Sequence, residues 1–204
     1  MEAPNPDFAA IRHELIEMAE KDLRVRAELA ATGSLYEGYH PSMRAVHDRH
    51  AQRLAQILAQ YGWPGERRVG EDGARAAWLI VQHAIAQPGL QRQALGEMHA
   101  AAERGEIPEW QVAMLDDRIR TFEGRPQRYG TQFDWDAAGQ LSPLPIEDPA
   151  GVDERRRALG LRPLDEEIAA KRDAAGRDGE RPPADSAARQ RERDAWLREV
   201  GWRH

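Results

Sequence analysis

A few polar residues of this chain fall where hydrophobic spacing predicts a packed interior. His83 lies in the stretch AAWLIVQHAI, residues 76–85, which is apolar on every side and therefore predicts a buried helix. Its ring continues the stripe of Ala76 and Ile80, and Gln82 beside it is a second polar group. A buried imidazole needs hydrogen-bond partners, because burial disfavours its charged form. Taken alone, such a histidine is more often a packing residue than a catalytic one.

Asp117 and Arg118 form a second polar pair on a predicted helix. Trp110, Ala113, Met114 and Asp117 share one stripe by three-and-four spacing. A carboxylate on an apolar face is costly unless it is paired. Arg118 is turned about a quarter-circle away, so it can reach another element. The alternative is a structural ion-pair network.

A third polar group follows in the segment QRYGTQ. Gln127, Tyr129, Thr131 and Gln132 offer uncharged donors and acceptors, which suit the recognition of amide, sugar or base edges. Gly130 inside a strand pattern indicates a bulge or a close backbone approach. The alternative is a hairpin whose polar residues cap helix ends.

Together these groups favour an enzyme, a metal-independent hydrolase or transferase that acts on a small polar substrate without a cofactor. His83 would be the general acid or base, since imidazole changes charge near neutral pH. Asp117 would orient its ring, and Arg118 would hold a carboxylate or phosphate of the substrate. The predicted substrate-binding residues are Gln82, Gln127, Tyr129, Thr131 and Gln132. The alternative is a protein-binding or immunity-type module in which the polar cluster is structural.

Two histidine pairs have the spacing of metal ligands. His47 and His50 lie three residues apart, and His99 lies four residues before Glu103. Both pairs fall on faces that are otherwise charged, so we expect surface histidines and no metal site. The absence of cysteine excludes thiolate ligands and thiol nucleophiles. The chain has no P-loop, no GxSxG elbow and no dinucleotide-binding motif.

The composition narrows the choice of partners. Charged residues make up 31% of the 204 residues and apolar ones 41%, which is ordinary for a globular protein. The formal net charge of −6 argues against nucleic acid and against an anionic membrane surface. No signal peptide is visible, and we expect a cytoplasmic protein that binds a small polar molecule or a protein partner.

The elements that position these residues are predicted to be mostly helical. Phe8, Ile11, Leu15, Met18 and Leu23 indicate a helix over 8–31. Further helices are predicted over 42–61, 72–86, 89–104, 108–122, 150–159, 164–174 and 188–200. A strand through Tyr129 and Trp135 predicts a short β-hairpin near 127–146. We therefore expect a compact multi-helix domain over 1–165 with one hairpin. An extension over 166–204 would contain a linker at 175–188 and a helix that docks through its tryptophans.

Several of these motifs together resemble a bacterial domain-of-unknown-function family. They are GWP at 62–64, QHA at 82–84, the DR pair at 117–118 and QRYGTQ at 127–132. IEDP at 146–149 and RRRALGL at 155–161 are similar to the C-terminal part of the family. The resemblance spans about residues 10–165 and implies no established activity. Relatives often carry an acid after QHA, whereas this chain has Ile85.

Overall fold

Helices account for most of the chain in its computed structural model, which describes residues 6–36 and 38–204. A mostly α fold with one short antiparallel hairpin is confirmed. By their contacts the residues group into two units, Met1–Pro108 and Glu109–His204. The predicted division into a domain over 1–165 and an extension over 166–204 stays a prediction. Among the described residues, no helix is both long enough and apolar enough to cross a membrane.

The first unit contains four helices and a 3-10 turn, Ser34–Tyr36, among its described residues. The helices are α1 (Phe8–Ala31), α2 (Pro41–Tyr61), α3 (Glu66–His83) and α4 (Pro88–Glu103). Helix α1 lies against α2 and α3, and α4 contacts both α2 and α3. The most deeply buried side chains of the unit include Leu15, Leu54, Ile57, Ile80 and Met98.

The ends of these helices follow local sequence signals. Pro41 stands in the first turn of α2, and Gly62, with a φ of +72°, ends it as predicted. Helix α3 joins two helical segments at Gly70, whose φ is +69°. It ends at His83, whereas the sequence predicted residue 86. His83 therefore stands in the last turn, where its side chain is 24% exposed and its Nδ1 faces the buried Asp22.

The second unit contains a two-stranded hairpin and four helices among its described residues. The helices are α5 (Glu109–Phe122), α6 (Val152–Ala158), α7 (Leu164–Arg177) and α8 (Ser186–Glu199). Strand β1 (Phe133–Trp135) pairs with β2 (Leu141–Pro143), and Asp134 lies opposite Ser142. The predicted strand extended back to Tyr129, but the backbone N–H groups of 128, 129 and 131 bond to a side chain instead. The predicted linker is shorter than expected, because α7 continues to Arg177.

The C-terminal residues of the second unit pack against the end of α5. Trp202 is buried, and its ring lies 5.2 Å from that of Phe122. The Trp196 ring meets the same phenyl group edge-on. Arg203 donates hydrogen bonds to the carbonyls of Thr121 and Phe122. Aromatic burial and capping of these carbonyls hold the segment that follows α8 in place.

Gly130 is a position where the fold requires glycine. Its φ is +68°, and a Cβ there would lie 2.8 Å from Leu164 Cδ1. We expect Gly130→Ala to lower the free energy of unfolding by about 1–3 kcal/mol, because the left-handed backbone strains an alanine. Gly96→Ala in α4 is the matched control, since a Cβ there meets nothing within 4 Å. It should stabilise by about 0.5–1 kcal/mol. Urea denaturation measures both, and equal stability of the two variants would contradict the prediction.

Candidate functional site

The centre of the first unit holds a carboxylate between two imidazoles. Asp22 of α1 is buried, with 1% of its side chain exposed. His83 Nδ1 lies 2.9 Å from Asp22 Oδ1 and 3.0 Å from Oδ2. His47 Nε2, from α2, lies 3.1 Å from Oδ2. The centroids of the two imidazole rings are 5.2 Å apart. Three helices thus each contribute one polar side chain to a single cluster, which we call the Asp22 cluster (Asp22, His47 and His83).

Each member of the Asp22 cluster continues the buried stripe of its helix. On α1 the carboxylate follows Ile11, Leu15 and Ala19 at three- and four-residue steps. On α2 the imidazole lies beside the buried Met43 and Val46 and one turn before Ala51. On α3 the sequence predicted the stripe correctly, since Ala76 and Ile80 are buried. Hydrophobic packing of the three helices therefore brings the polar atoms together.

Burial and charge compete at Asp22. Burial alone would raise the pKa of its carboxyl group, but close polar contacts with His47 and His83 and their positive charge outweigh that effect. The net result is a pKa of Asp22 well below its ordinary value. The Asp22 carboxyl group is therefore ionised at neutral pH, and the carboxylate favours a cation beside it.

Each ring nitrogen of His47 lies close to a side-chain oxygen. Its Nδ1 lies 2.8 Å from the hydroxyl oxygen of Tyr39, and the two rings are stacked. Its Nε2 is buried and makes no well-directed hydrogen bond, although the Asp22 oxygen is within hydrogen-bond distance. The Nε2–H direction consequently misses the carboxylate. If Nδ1–H donates to Tyr39, the lone pair of Nε2 faces the cluster.

The prediction that His47 and His50 are surface histidines is wrong. Both are buried, with 9% and 4% of the residue exposed. Burial lowers the pKa of His50 to about 4, so it is neutral at neutral pH. The charged residues between them, Asp48 and Arg49, suggested that the whole helix face is charged. Residues three apart on a helix share a face, however, and the residues between them point in other directions. His99 and Glu103 are exposed, as predicted.

The sequence analysis also missed Asp22. It assigned Leu23 to the buried stripe of α1, whereas Leu23 is 52% exposed. The available signal was the spacing of Asp22, seven residues after Leu15 and eleven after Ile11. A carboxylate at that position of an apolar stripe needs partners from other helices.

In the second unit the Asp117 carboxylate accepts hydrogen bonds from the segment 127–132, which we call the Asp117 loop. Its Oδ1 accepts from the backbone N–H of Arg128 at 2.6 Å, and its Oδ2 accepts from the N–H groups of Tyr129 and Thr131 at 3.1 Å. The Thr131 hydroxyl donates a further bond at 3.0 Å. Burial raises the pKa of Asp117, and these hydrogen bonds oppose the rise. One carboxylate thus satisfies three backbone donors of the segment 127–132.

Gln127 and Arg156 hold the same loop from the other side. Gln127 is buried, donates to the carbonyls of Gln132 and Leu144, and accepts from the Gln132 N–H. Arg156, 2% exposed, donates to the Tyr129 carbonyl at 2.6 Å and to that of Arg162 at 2.7 Å. The polar groups of this loop therefore satisfy one another, which explains their residue types without a ligand.

The remaining predicted site residues are placed as follows. Gln82 is buried, and its side-chain amide has no hydrogen-bond partner among the described residues. Arg118 Nε is likewise buried without a partner in that part of the chain, and burial lowers the pKa of Arg118 to about 10. Gln132 donates its amide N–H to the Thr131 hydroxyl. Arg128 lies over the Tyr129 ring at 5.6 Å.

The structure thus brings the predicted residues together in two sets. His83 joins Asp22 and His47 in the first unit, and Asp117 joins Gln127, Thr131 and Gln132 in the second. The carboxylate bonded to His83 Nδ1 is Asp22. That His83 and Asp117 belong to one centre stays a prediction.

Asp117→Asn tests the structural role of the loop carboxylate. The amide can accept on one side only and places an NH₂ group against backbone donors. We expect a loss of about 2–4 kcal/mol in the free energy of unfolding, because buried N–H groups lose an ionised acceptor. Asp173→Asn on the exposed face of α7 is the control and should stay within about 0.5 kcal/mol of the unmodified chain. Equal stability of the two variants would show that the loop does not depend on Asp117.

Comparison with known proteins yields one finding. No curated protein and no solved structure matches the chain. A family model does match, over residues 9–179, and its description is a family of unknown function, DUF6624. This range includes the Asp22 cluster of the first unit and the Asp117 loop of the second. The chain belongs to the DUF6624 family of unknown function.

Proposed function

We propose that the first unit binds a divalent transition-metal ion through Asp22, His47 and His83 and uses it to hydrolyse a small polar substrate. One observation carries the proposal: a carboxylate oxygen and two imidazole nitrogens from three helices all lie within 4.8 Å of one another. Two imidazoles and one carboxylate are a donor set common to zinc and non-haem iron sites. The sequence analysis assigned no metal, because it treated His47 as exposed and overlooked Asp22.

The distances within the Asp22 cluster support a metal ion. In an octahedral complex with donors about 2.1 Å from the metal, neighbouring donors lie about 3.0 Å apart. Asp22 Oδ2 lies 3.0 Å from His83 Nδ1 and 3.1 Å from His47 Nε2, which matches that spacing. In such a complex the carboxylate oxygen next to an imidazole lies about 45° away from the line that joins the ligating nitrogen to the metal. This is consistent with an Nε2–H direction that misses the carboxylate although the atoms are close.

The surroundings of the Asp22 cluster support ligation in a second way. An imidazole that binds a metal usually donates its other N–H to an oxygen, which fixes the ring and its tautomer. The Tyr39 hydroxyl stands in that place for His47, at 2.8 Å from Nδ1. We infer that Tyr39 is a positioning residue for His47.

Three protein ligands favour a catalytic site over a structural one. Structural zinc sites use four protein ligands, whereas catalytic sites use three and leave a position for water or substrate. His83 is 24% exposed, so part of its side chain is accessible to solvent. Asp22, His47 and His83 would hold the metal ion, which would supply Lewis-acid chemistry for the hydrolysis of a carbonyl or phosphoryl compound.

A second candidate is the metal-independent acid–base function expected from the sequence. It is favoured by the bond between Asp22 and His83 Nδ1, which leaves Nε2 of His83 for proton transfer. Asp22 would then orient the imidazole, the role that the sequence analysis gave to Asp117. Substrate contacts through Arg118, Gln82, Tyr129, Thr131 and Gln132 remain part of this proposal, as does a cytoplasmic location in a bacterium.

The third candidate is the protein-binding or immunity-type module. It is favoured by the Asp117 loop, whose polar groups are satisfied within the second unit. Under this candidate the loop stabilises one conformation of a binding surface.

Metal binding is tested on chelator-treated protein. We expect Zn²⁺ or Mn²⁺ to raise the melting temperature, because a ligand present at about 100 times its Kd stabilises the folded state by about 2.7 kcal/mol. Asp22→Asn, His47→Gln and His83→Gln should each weaken metal affinity by more than about 100-fold, because each removes a ligand, whereas the loss of a residue that only orients a ligand costs about 10–100-fold. His99→Gln, an exposed histidine of α4, is the control and should bind as the unmodified chain does.

Two outcomes would decide against the metal. Equal stabilisation of His99→Gln and His47→Gln by metal would place the ion elsewhere. No metal in the purified protein by mass spectrometry, and no shift with any added divalent ion, would leave the acid–base candidate. That candidate fails in turn if His83→Asn keeps full turnover of a genuine substrate.

A further inference from the structure

The second unit contains a cleft with three guanidinium groups in its lining. Its volume is about 300 Å³, and Arg125, Arg193 and Arg203 contribute to it. Leu144 and Pro145, which follow strand β2, supply part of the apolar lining. All of these residues belong to the second unit, so the cleft is independent of the Asp22 cluster. Three arginines with apolar neighbours point to an anionic ligand, provided that their charge is not already neutralised.

Two of the three arginines have close partners in the protein. Arg203 Nη1 lies 2.8 Å from Asp194, and the rest of its guanidinium donates to backbone carbonyls. Arg125 Nη2 lies 2.5 Å from Glu123. These pairs fix two walls of the cleft and leave little positive charge for a ligand.

Arg193 of α8 differs from the other two. Its nearest carboxylate is Asp134, and the Nη1–Oδ2 distance of 3.9 Å is too long for a hydrogen bond. Arg189 already binds the other oxygen of Asp134 at 2.6 Å. Within the described ranges, the Arg193 guanidinium makes no hydrogen bond, although only 22% of the side chain is exposed. Burial lowers its pKa, as expected for a cation that is removed from water and incompletely paired.

We propose that this cleft binds a small organic anion whose carboxylate or phosphate group pairs with Arg193. A guanidinium presents two parallel N–H donors, which match the oxygens of either group. The apolar part of the ligand would lie against Leu144 and Pro145. Arg125 and Arg203, each already paired with a carboxylate, would line the cleft and contribute little charge.

Asp134, the acid nearest to Arg193, allows substitutions that should either strengthen or weaken anion binding. Asp134 contributes negative charge beside Arg193, so it competes with an incoming anion. Asp134→Asn removes that charge and should tighten anion binding several-fold, whereas Arg193→Gln removes the cation and should weaken it about tenfold or more. A structural role of either residue would not produce opposite changes in affinity.

The experiment is calorimetric titration of the full chain with two separate probes, inorganic phosphate and benzoate. Arg191→Gln is the matched control, because Arg191 lies on the same helix, is exposed and loses the same charge. We expect it to bind within about twofold of the unmodified chain, since an exposed charge is screened by salt. Binding of phosphate alone assigns a phosphate ligand, and binding of benzoate alone assigns a carboxylate with an apolar body.

Two results would overturn the proposal: neither probe binds the unmodified chain, or Arg193→Gln and Arg191→Gln bind equally well. Should Arg193→Gln fail to fold, Arg193→Lys keeps the charge but loses the bidentate geometry. It should then bind more weakly than the unmodified chain, and full affinity in this variant would also overturn the proposal.

Discussion

The arrangement of the first three helices depends on the burial of one ionised carboxylate. An isolated charge in a protein interior costs several kcal/mol, roughly, unless opposite charge and hydrogen bonds compensate it. Asp22 is compensated by imidazoles from two other helices. The same contacts therefore join α1, α2 and α3 and place an ionised carboxylate between them. A metal ion would serve both purposes, since it would screen the charge and tie the three helices together.

The second unit uses a buried carboxylate for a different purpose. Asp117 binds backbone N–H groups, so its charge holds the course of a loop. Its acceptor atoms are occupied by the backbone of the loop, whereas the oxygens of Asp22 contact imidazole side chains that can change partners. This difference explains why we assign chemistry to the first carboxylate and a structural role to the second.

Much of the fold was predictable from sequence, but the site was predictable only in part. Helical periodicity with proline and glycine signals located α1, α2 and α4 closely, and it identified His83 as an inward-facing residue. Asp22 was missed because the apolar Leu23 beside it was assigned to the buried face. His47 was missed because the charged Asp48 beside it suggested an exposed face. Which polar residues of different helices meet depends on helix packing angles, and a single sequence does not contain these. The strand through Tyr129 failed because a side chain, Asp117, competes for its backbone donors.

The end of α3 at His83 has one more consequence. The last carbonyl groups of a helix lack intrahelical partners and carry a partial negative charge. His83 is the final residue of α3, so its imidazole stands at the negative end of the helix dipole. The end of the helix and the Asp22 carboxylate therefore both place negative charge near His83. A cation beside His83 is therefore stabilised by the end of the helix as well as by the carboxylate.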